Sequence, residues 1–155
     1  MSGERQVEGV DYFEKWAPTV SWATVRMLLC LTLSQGWVTK QADFLNDFVQ
    51  ATLKEDVYMS LPEGFEIEGG EDPSSSYALK LNKSLYGLVQ SPMYWFLHLR
   101  DNLEFLRLKQ SRIDPCLFYG DGMCVLIFVD DCLFLLKILI KSTVLLRSWN
   151  NLGFL

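Results

Sequence analysis

Residues 123–136 read MCVLIFVDDCLFLL, an apolar run broken only by two adjacent carboxylates, Asp130 and Asp131. The β-branched and aromatic residues on either side favour strands, and Asp tolerates turn dihedrals. Together they predict a strand–turn–strand hairpin with Phe128-Val129-Asp130-Asp131 at its tip. Neighbouring carboxylates repel one another, and no Lys or Arg lies within five residues to neutralise them. A divalent cation would satisfy the pair. The alternative is a solvated acidic turn, because a four-residue match is weak by itself.

A third acid shifts the balance. Residues 37–44, WVTKQADF, alternate as a strand does, and Asp43 falls at the end, just before a turn. Three carboxylates at strand ends can converge on two metal ions, as phosphoryl- and nucleotidyl-transfer sites require.

The rest of the composition narrows the class. At 155 residues the chain suits one domain with a real core. Half its residues are hydrophobic, which excludes global disorder. A formal charge of −5 argues against a free-standing nucleic-acid binder, since phosphate contacts come mainly from Lys and Arg. Cys30, Cys116, Cys124 and Cys132 form no CxxC pair, and the single His98 has no ligand-like neighbour at helical spacing. Buried free thiols in a reducing compartment are therefore expected rather than a zinc site. The N-terminus is too polar for a signal peptide. The apolar run 123–140 is long enough to raise a membrane span, but Asp130, Asp131 and Lys137 make one costly.

Periodicity gives the remaining elements. Val25, Leu28, Leu29 and Leu33 are at helical spacing within 21–34, and Gly36 can close that helix. A short helix is predicted over 46–53, then strands over 57–59, 77–81 and 117–119. Residues 66–76, EIEGGEDPSSS, read as a flexible acidic loop. Pro92 opens a second helix that continues through 93–108, with Trp95, Leu99, Leu103 and Leu106 on one face. Mixed helices and antiparallel strands predict a two-layer α+β domain.

Ordered blocks connect these elements. They include Gly9-Val10-Asp11-Tyr12-Phe13-Glu14, Gln41-Ala42-Asp43, Val57-Tyr58-Met59 and Leu61-Pro62-Glu63-Gly64-Phe65. The longest runs over residues 79–92, LKLNKSLYGLVQSP, and Asp114-Pro115-Cys116-Leu117-Phe118 precedes the acidic hairpin. Over roughly residues 5–137 this resembles the reverse transcriptase domain of copia-type LTR retrotransposons. The resemblance implies a polymerase palm, an antiparallel sheet with helices on one face, plus part of the fingers. It implies RNA-directed DNA polymerase activity, with two Mg²⁺ ions, for which Mn²⁺ can substitute, held by Asp43 and Asp130. Asp131 is then more peripheral, and the Phe44 carbonyl adds a ligand. Phe48 matches the sugar-gate position that disfavours a ribose 2′-hydroxyl; a core Phe is the other reading. Gln90 matches the residue near the incoming nucleotide and template, although a Gln beside Pro also suits a helix cap. Tyr86 and Trp95 read as packing residues.

The implied partners are an RNA/DNA primer–template, dNTPs and other parts of a Pol polyprotein, with no membrane. The implied location of an intact element is intracellular, in cytoplasmic virus-like particles. Three departures stand out. Asp47 occupies a position where the family usually has Ala, Met93 replaces a basic residue, and after Lys137 the sequence ILIKSTVLLRSWNNLGFL leaves the family pattern. The expected organisation is thus a partial reverse transcriptase domain over 1–137 and a divergent tail over 138–155. That tail is either an amphipathic helix covering exposed palm surface or poorly ordered. The thumb and RNase H regions have no room, so a catalytically inactive transposon relic is the alternative reading.

Overall fold

The computed structural model describes residues 5–44, 46–62, 64–65, 77–120 and 122–137. The acidic loop predicted over 66–76 and the tail over 138–155 lie outside the described residues. Along the chain run α1 (Trp22–Gln35), β1 (Val38–Asp43), a 3₁₀ turn (Phe48–Gln50), β2 (Thr52–Ser60), β3 (Ala78–Lys83), α2 (Ser91–Phe105), β4 (Lys109–Gln110), β5 (Leu117–Gly120), β6 (Met123–Phe128) and β7 (Asp131–Leu136). Five strands form one antiparallel sheet in the order β1-β7-β6-β5-β4, and β2 and β3 form a separate antiparallel ribbon. The architecture is mixed α and β, as the periodicity required.

The acidic run is the hairpin β6–β7, closed by the Phe128–Asp131 pair. Among the described residues no helix is long and apolar enough to cross a membrane. The hairpin's near-continuous apolar character has a consequence that alternation would not: both faces need cover. On one face Val125, Ile127 and Phe134 pack with Trp95, Leu99 and Leu103 of α2. On the other, Leu126 and Leu135 pack with Leu28 of α1. Helices therefore lie on both faces, which corrects the expected two-layer arrangement with helices on one face.

Local chemistry sets the element ends. Ser21 caps α1 by accepting from the Ala23 N–H, and Gly36, at φ 63°, closes it with its own and the Trp37 N–H on the last carbonyls. Helix α2 stops three residues short of the predicted 108. Arg107 adopts φ 65°, and the Leu108 N–H bonds to the Leu103 carbonyl. This is the same left-handed closure without the glycine that would announce it, and Leu103 and Leu108 share the core. The helix expected over 46–53 shrinks to one 3₁₀ turn. The Ser84 N–H bonds to the Ala51 carbonyl and Thr52 pairs with Lys83, so strand pairing overrides local helical spacing.

No disulfide forms among the four cysteines; Cys116 and Cys132 are buried, Cys124 is partly buried and Cys30 is exposed. Burial pushes the Cys116 thiol up to about 12 and raises Cys132 as well. Cys116 and Cys132 thus follow the expectation of buried free cysteines, Cys124 follows it in part, and Cys30 does not.

Candidate active site

Pairing with β7 sets Asp43 directly opposite Asp131, at the same end of the sheet where β6 turns into β7. Opposed residues of an antiparallel pair share a face, so these two carboxylates face the same side. Ala42 and Phe44, their neighbours of opposite parity, are buried in the core on the other face. Gln41, two residues before Asp43, donates from Nε2 to Asp131 Oδ1 at 3.1 Å. Sequence reading missed this donor, although period-two spacing places Gln41 on the face of Asp43. Like charges directly opposed destabilise a sheet. Among the described residues none of the three aspartates has an ion-pair partner.

Asp130 occupies the two-residue turn. Val129 before it has φ 56°, a left-handed conformation that a β-branched residue resists. The turn is held from beneath: Trp95 of α2, 0 % exposed, donates from Nε1 to the Val129 carbonyl at 3.0 Å. Its ring packs edge-on against Phe44, with centroids 5.1 Å apart. Trp95 is a packing residue, as expected, and it also fixes the acidic turn, which no motif signalled. Replacing Val129 by Gly is expected to raise stability by about 1 kcal/mol by relieving the left-handed strain. The same change should loosen Asp130 and weaken divalent-ion binding; thermal melts with and without Mg²⁺ check both effects.

A second cluster adjoins the turn. The Tyr86 hydroxyl donates to Asp47 Oδ1, and the Tyr86 ring lies 4.7 Å from that of Phe48. Asp47 is 1 % exposed, and its other oxygen has no hydrogen-bond partner. The hydrogen bond to Asp47, then burial, then the charges of Asp47 and Asp130 push the Tyr86 phenol up to about 12. A folded pKa above the unfolded value of 10 means this contribution is complete below pH 10 and fades as pH climbs toward 12. Tyr94, raised by burial and its bond to Glu55, and the buried thiols shift in the same direction. Urea midpoints are therefore expected to fall at alkaline pH. Tyr86→Phe should cost about 1–3 kcal/mol at pH 8 by stranding a buried acceptor. The gap to the parent should close as pH rises through 10 to 12.

The predicted residues do not all meet. Asp43, Asp130 and Asp131 stand at one end of the sheet, and the Phe48 cluster lies within electrostatic reach of Asp130. Phe44 is 4 % exposed and belongs to the core. Gln90, at the start of α2, is fully buried and makes no side-chain cap. Its amide instead donates to the Asp11 carbonyl and accepts from Gln6, both at 2.9 Å. Contact between Gln90 and a nucleotide requires release of that N-terminal segment.

The residue types suit a hard divalent ion, which prefers carboxylate oxygen. Asp43 and Asp130 are exposed and Asp131 partly so. Among the described residues, however, no group of three His, Cys, Asp or Glu side chains is gathered as a ready metal site. The opposed Asp43–Asp131 pair is in place, and a third ligand is not.

The family model described as reverse transcriptase (RNA-dependent DNA polymerase) matches residues 1–142. The chain is 36% identical over 135 residues to the retrovirus-related Pol polyprotein from transposon RE1 of Arabidopsis thaliana, covering 84% of this chain and 9% of that protein. It is 32% identical over 138 residues to the corresponding polyprotein from transposon TNT 1-94 of Nicotiana tabacum, covering 86% of this chain and 10% of the relative. The chain thus spans about a tenth of the length of the curated relatives it matches. No solved structure is a significant match. A family model that matches nearly the whole chain, with curated Pol polyprotein relatives at 32% and 36% identity over more than four fifths of it, places this chain in the reverse transcriptase family.

Proposed function

We propose that this chain carries the polymerase chemistry of its family, the template-directed transfer of deoxynucleotides to a primer 3′-hydroxyl. In this reading the five-stranded sheet with α1 and α2 is the palm, and the β2–β3 ribbon belongs to the fingers. The observation that carries the reading is the register that opposes Asp43 and Asp131 beside the turn bearing Asp130.

Asp43 and Asp130 would hold two Mg²⁺ ions, or Mn²⁺ in their place, with Asp131 at the periphery and the Phe44 carbonyl as a further ligand. Bound metal supplies Lewis-acid activation of the primer hydroxyl and charge stabilisation at the triphosphate. Gln41 holds Asp131 in place by its hydrogen bond, and Trp95 fixes the turn that presents Asp130. Phe48, whose ring packs against Tyr86, would exclude a 2′-hydroxyl, and Gln90 would meet the nucleotide and template once freed from Gln6 and Asp11. Partners under this proposal are primer–template, dNTPs and the other parts of a Pol polyprotein. The setting is the cytoplasmic particle of an element.

One observation favours a second reading, a folded chain without activity. Asp47 buries a carboxylate beside Phe48, where it would repel a triphosphate. Primer extension on an RNA template with Mg²⁺ and dNTPs separates the two. Extension by the parent and not by Asp130→Asn supports the enzyme. Blank lanes from both, with extension restored by Asp47→Ala, would assign the inactivity to Asp47.

A further inference from the structure

Steric selection between sugars needs a ring that stays in place. Phe48 opens a 3₁₀ turn of three residues, and Asp47 before it gives that turn no side-chain cap. Such a turn does little to fix a side chain, since a χ angle swings by ~30° at a cost equivalent to about tenfold or less in selectivity. The ring is held by its surroundings. Phe48 packs on the main core and also meets the Tyr86 ring, tilted by 49° with centroids 4.7 Å apart. Tyr86 needs an anchor of its own. It is 51 % exposed and lies in a turn closed by the Leu88 N–H on the Leu85 carbonyl at 3.3 Å, with Gly87 at φ 92°. Its hydroxyl donates to Asp47 Oδ1, and Asp47 is buried and precedes Phe48 in the chain.

The contacts close on themselves. A peptide bond joins Asp47 to Phe48, ring packing joins Phe48 to Tyr86, and a hydrogen bond returns from Tyr86 to Asp47. The two chain segments that carry these residues are stitched together beside the loop. Lys83 Nζ donates to the Gln50 carbonyl at 2.7 Å, and the Ser84 N–H to the Ala51 carbonyl at 2.9 Å. The second oxygen of Asp47 is buried without a hydrogen-bond partner, so the bond from Tyr86 is costly to lose. We propose that Tyr86, clamped by Asp47, is a positioning residue that sets the sugar selectivity of Phe48. The inference rests on the reading of Phe48 as the sugar gate and deepens it. Selectivity is assigned to the Tyr86–Asp47 bond as well as to the Phe48 ring. In this role Tyr86 acts through Phe48 and makes no contact with the nucleotide.

The test is the preference of the full chain for dATP over ATP in single-nucleotide primer extension on an RNA template with Mg²⁺. The ratio of the two rates is read, so partial loss of active protein does not affect it. Tyr86→Phe keeps the ring and removes the donor. Asp47→Ala removes the acceptor without stranding a charge, and it carries the test alone should Tyr86→Phe fail to fold. Each is expected to lower the preference about tenfold, the scale of one hydrogen bond. Asp47→Asn keeps an acceptor oxygen and should hold the parental ratio. So should Tyr94→Phe, a matched control that takes a phenol from the Glu55 carboxylate instead. Phe48→Ala separates the two levels of the argument. Lost preference in Phe48→Ala, with parental ratios in Tyr86→Phe and Asp47→Ala, leaves the gate standing and overturns the clamp. Equal loss in Asp47→Asn or Tyr94→Phe also overturns it, since charge or general loosening would then be the cause. A parental ratio in Phe48→Ala removes the gate reading, extension by none of the chains removes the polymerase reading, and the clamp falls with either.

Discussion

Asp43→Asn is expected to reduce primer extension by about 10³-fold while making the metal-free protein more stable. Both effects come from one carboxylate. Loss of a ligand that holds metal against developing charge removes about 4 kcal/mol of transition-state stabilisation, which corresponds to that factor. In the absence of metal, Asp43 faces Asp131 across β1 and β7 with no ion-pair partner among the described residues. Removing one of two opposed like charges should stabilise the sheet by about 0.2–1 kcal/mol. Activity and stability should therefore move in opposite directions. A structural aspartate would lose both together. Activity assays paired with urea titrations in chelator distinguish the cases.

Trp95→Ala is expected to cost about 3–5 kcal/mol, the usual range for truncating a buried aromatic. Small domains have only about 5–15 kcal/mol in total, so much of the protein should be unfolded at modest temperature. The residue joins the core to the site: it is fully buried, touches Phe44 and holds the Val129 carbonyl. Trp95→Phe separates these roles. It retains most of the ring volume and loses the Nε1–H donor, which costs about 1 kcal/mol. Its larger effect should be on divalent-ion affinity, because the strained turn presenting Asp130 then lacks its support. Denaturation midpoints and metal titrations of the two variants provide the test.

How much of this was legible in the sequence depended on whether the signal was local. The hairpin of residues 123–136, strand β1 and the buried face Trp95–Leu99–Leu103 followed directly from period and composition, because their side chains carry the information themselves. The end of α2 was hidden, since Arg107 takes a conformation that glycine usually marks. Strand β4, two residues long, has no period to read. The helix expected over 46–53 failed because pairing with Lys83 and Ser84, some thirty residues on, decided its backbone. Within the candidate site, the positions of the acids were readable, Asp130 and Asp131 from their break in an apolar run and Asp43 from the end of an alternating strand. The supports were not. Gln41, Trp95 and the Tyr86–Asp47 bond act through contacts 34 to 90 positions apart in sequence. Gln90 illustrates the limit from the other side: a motif suggested a ligand contact, and the fold places its amide on Gln6 and Asp11.

The account centres on Asp43, Asp130 and Asp131 acting together on divalent metal. Titration with Mn²⁺, followed by electron paramagnetic resonance of the free ion, measures this without requiring catalysis. Saturable binding by the parent, displaced by Mg²⁺ and lost in both Asp43→Asn and Asp130→Asn, is the predicted result. No binding by the folded parent, or binding that neither substitution changes, would contradict it.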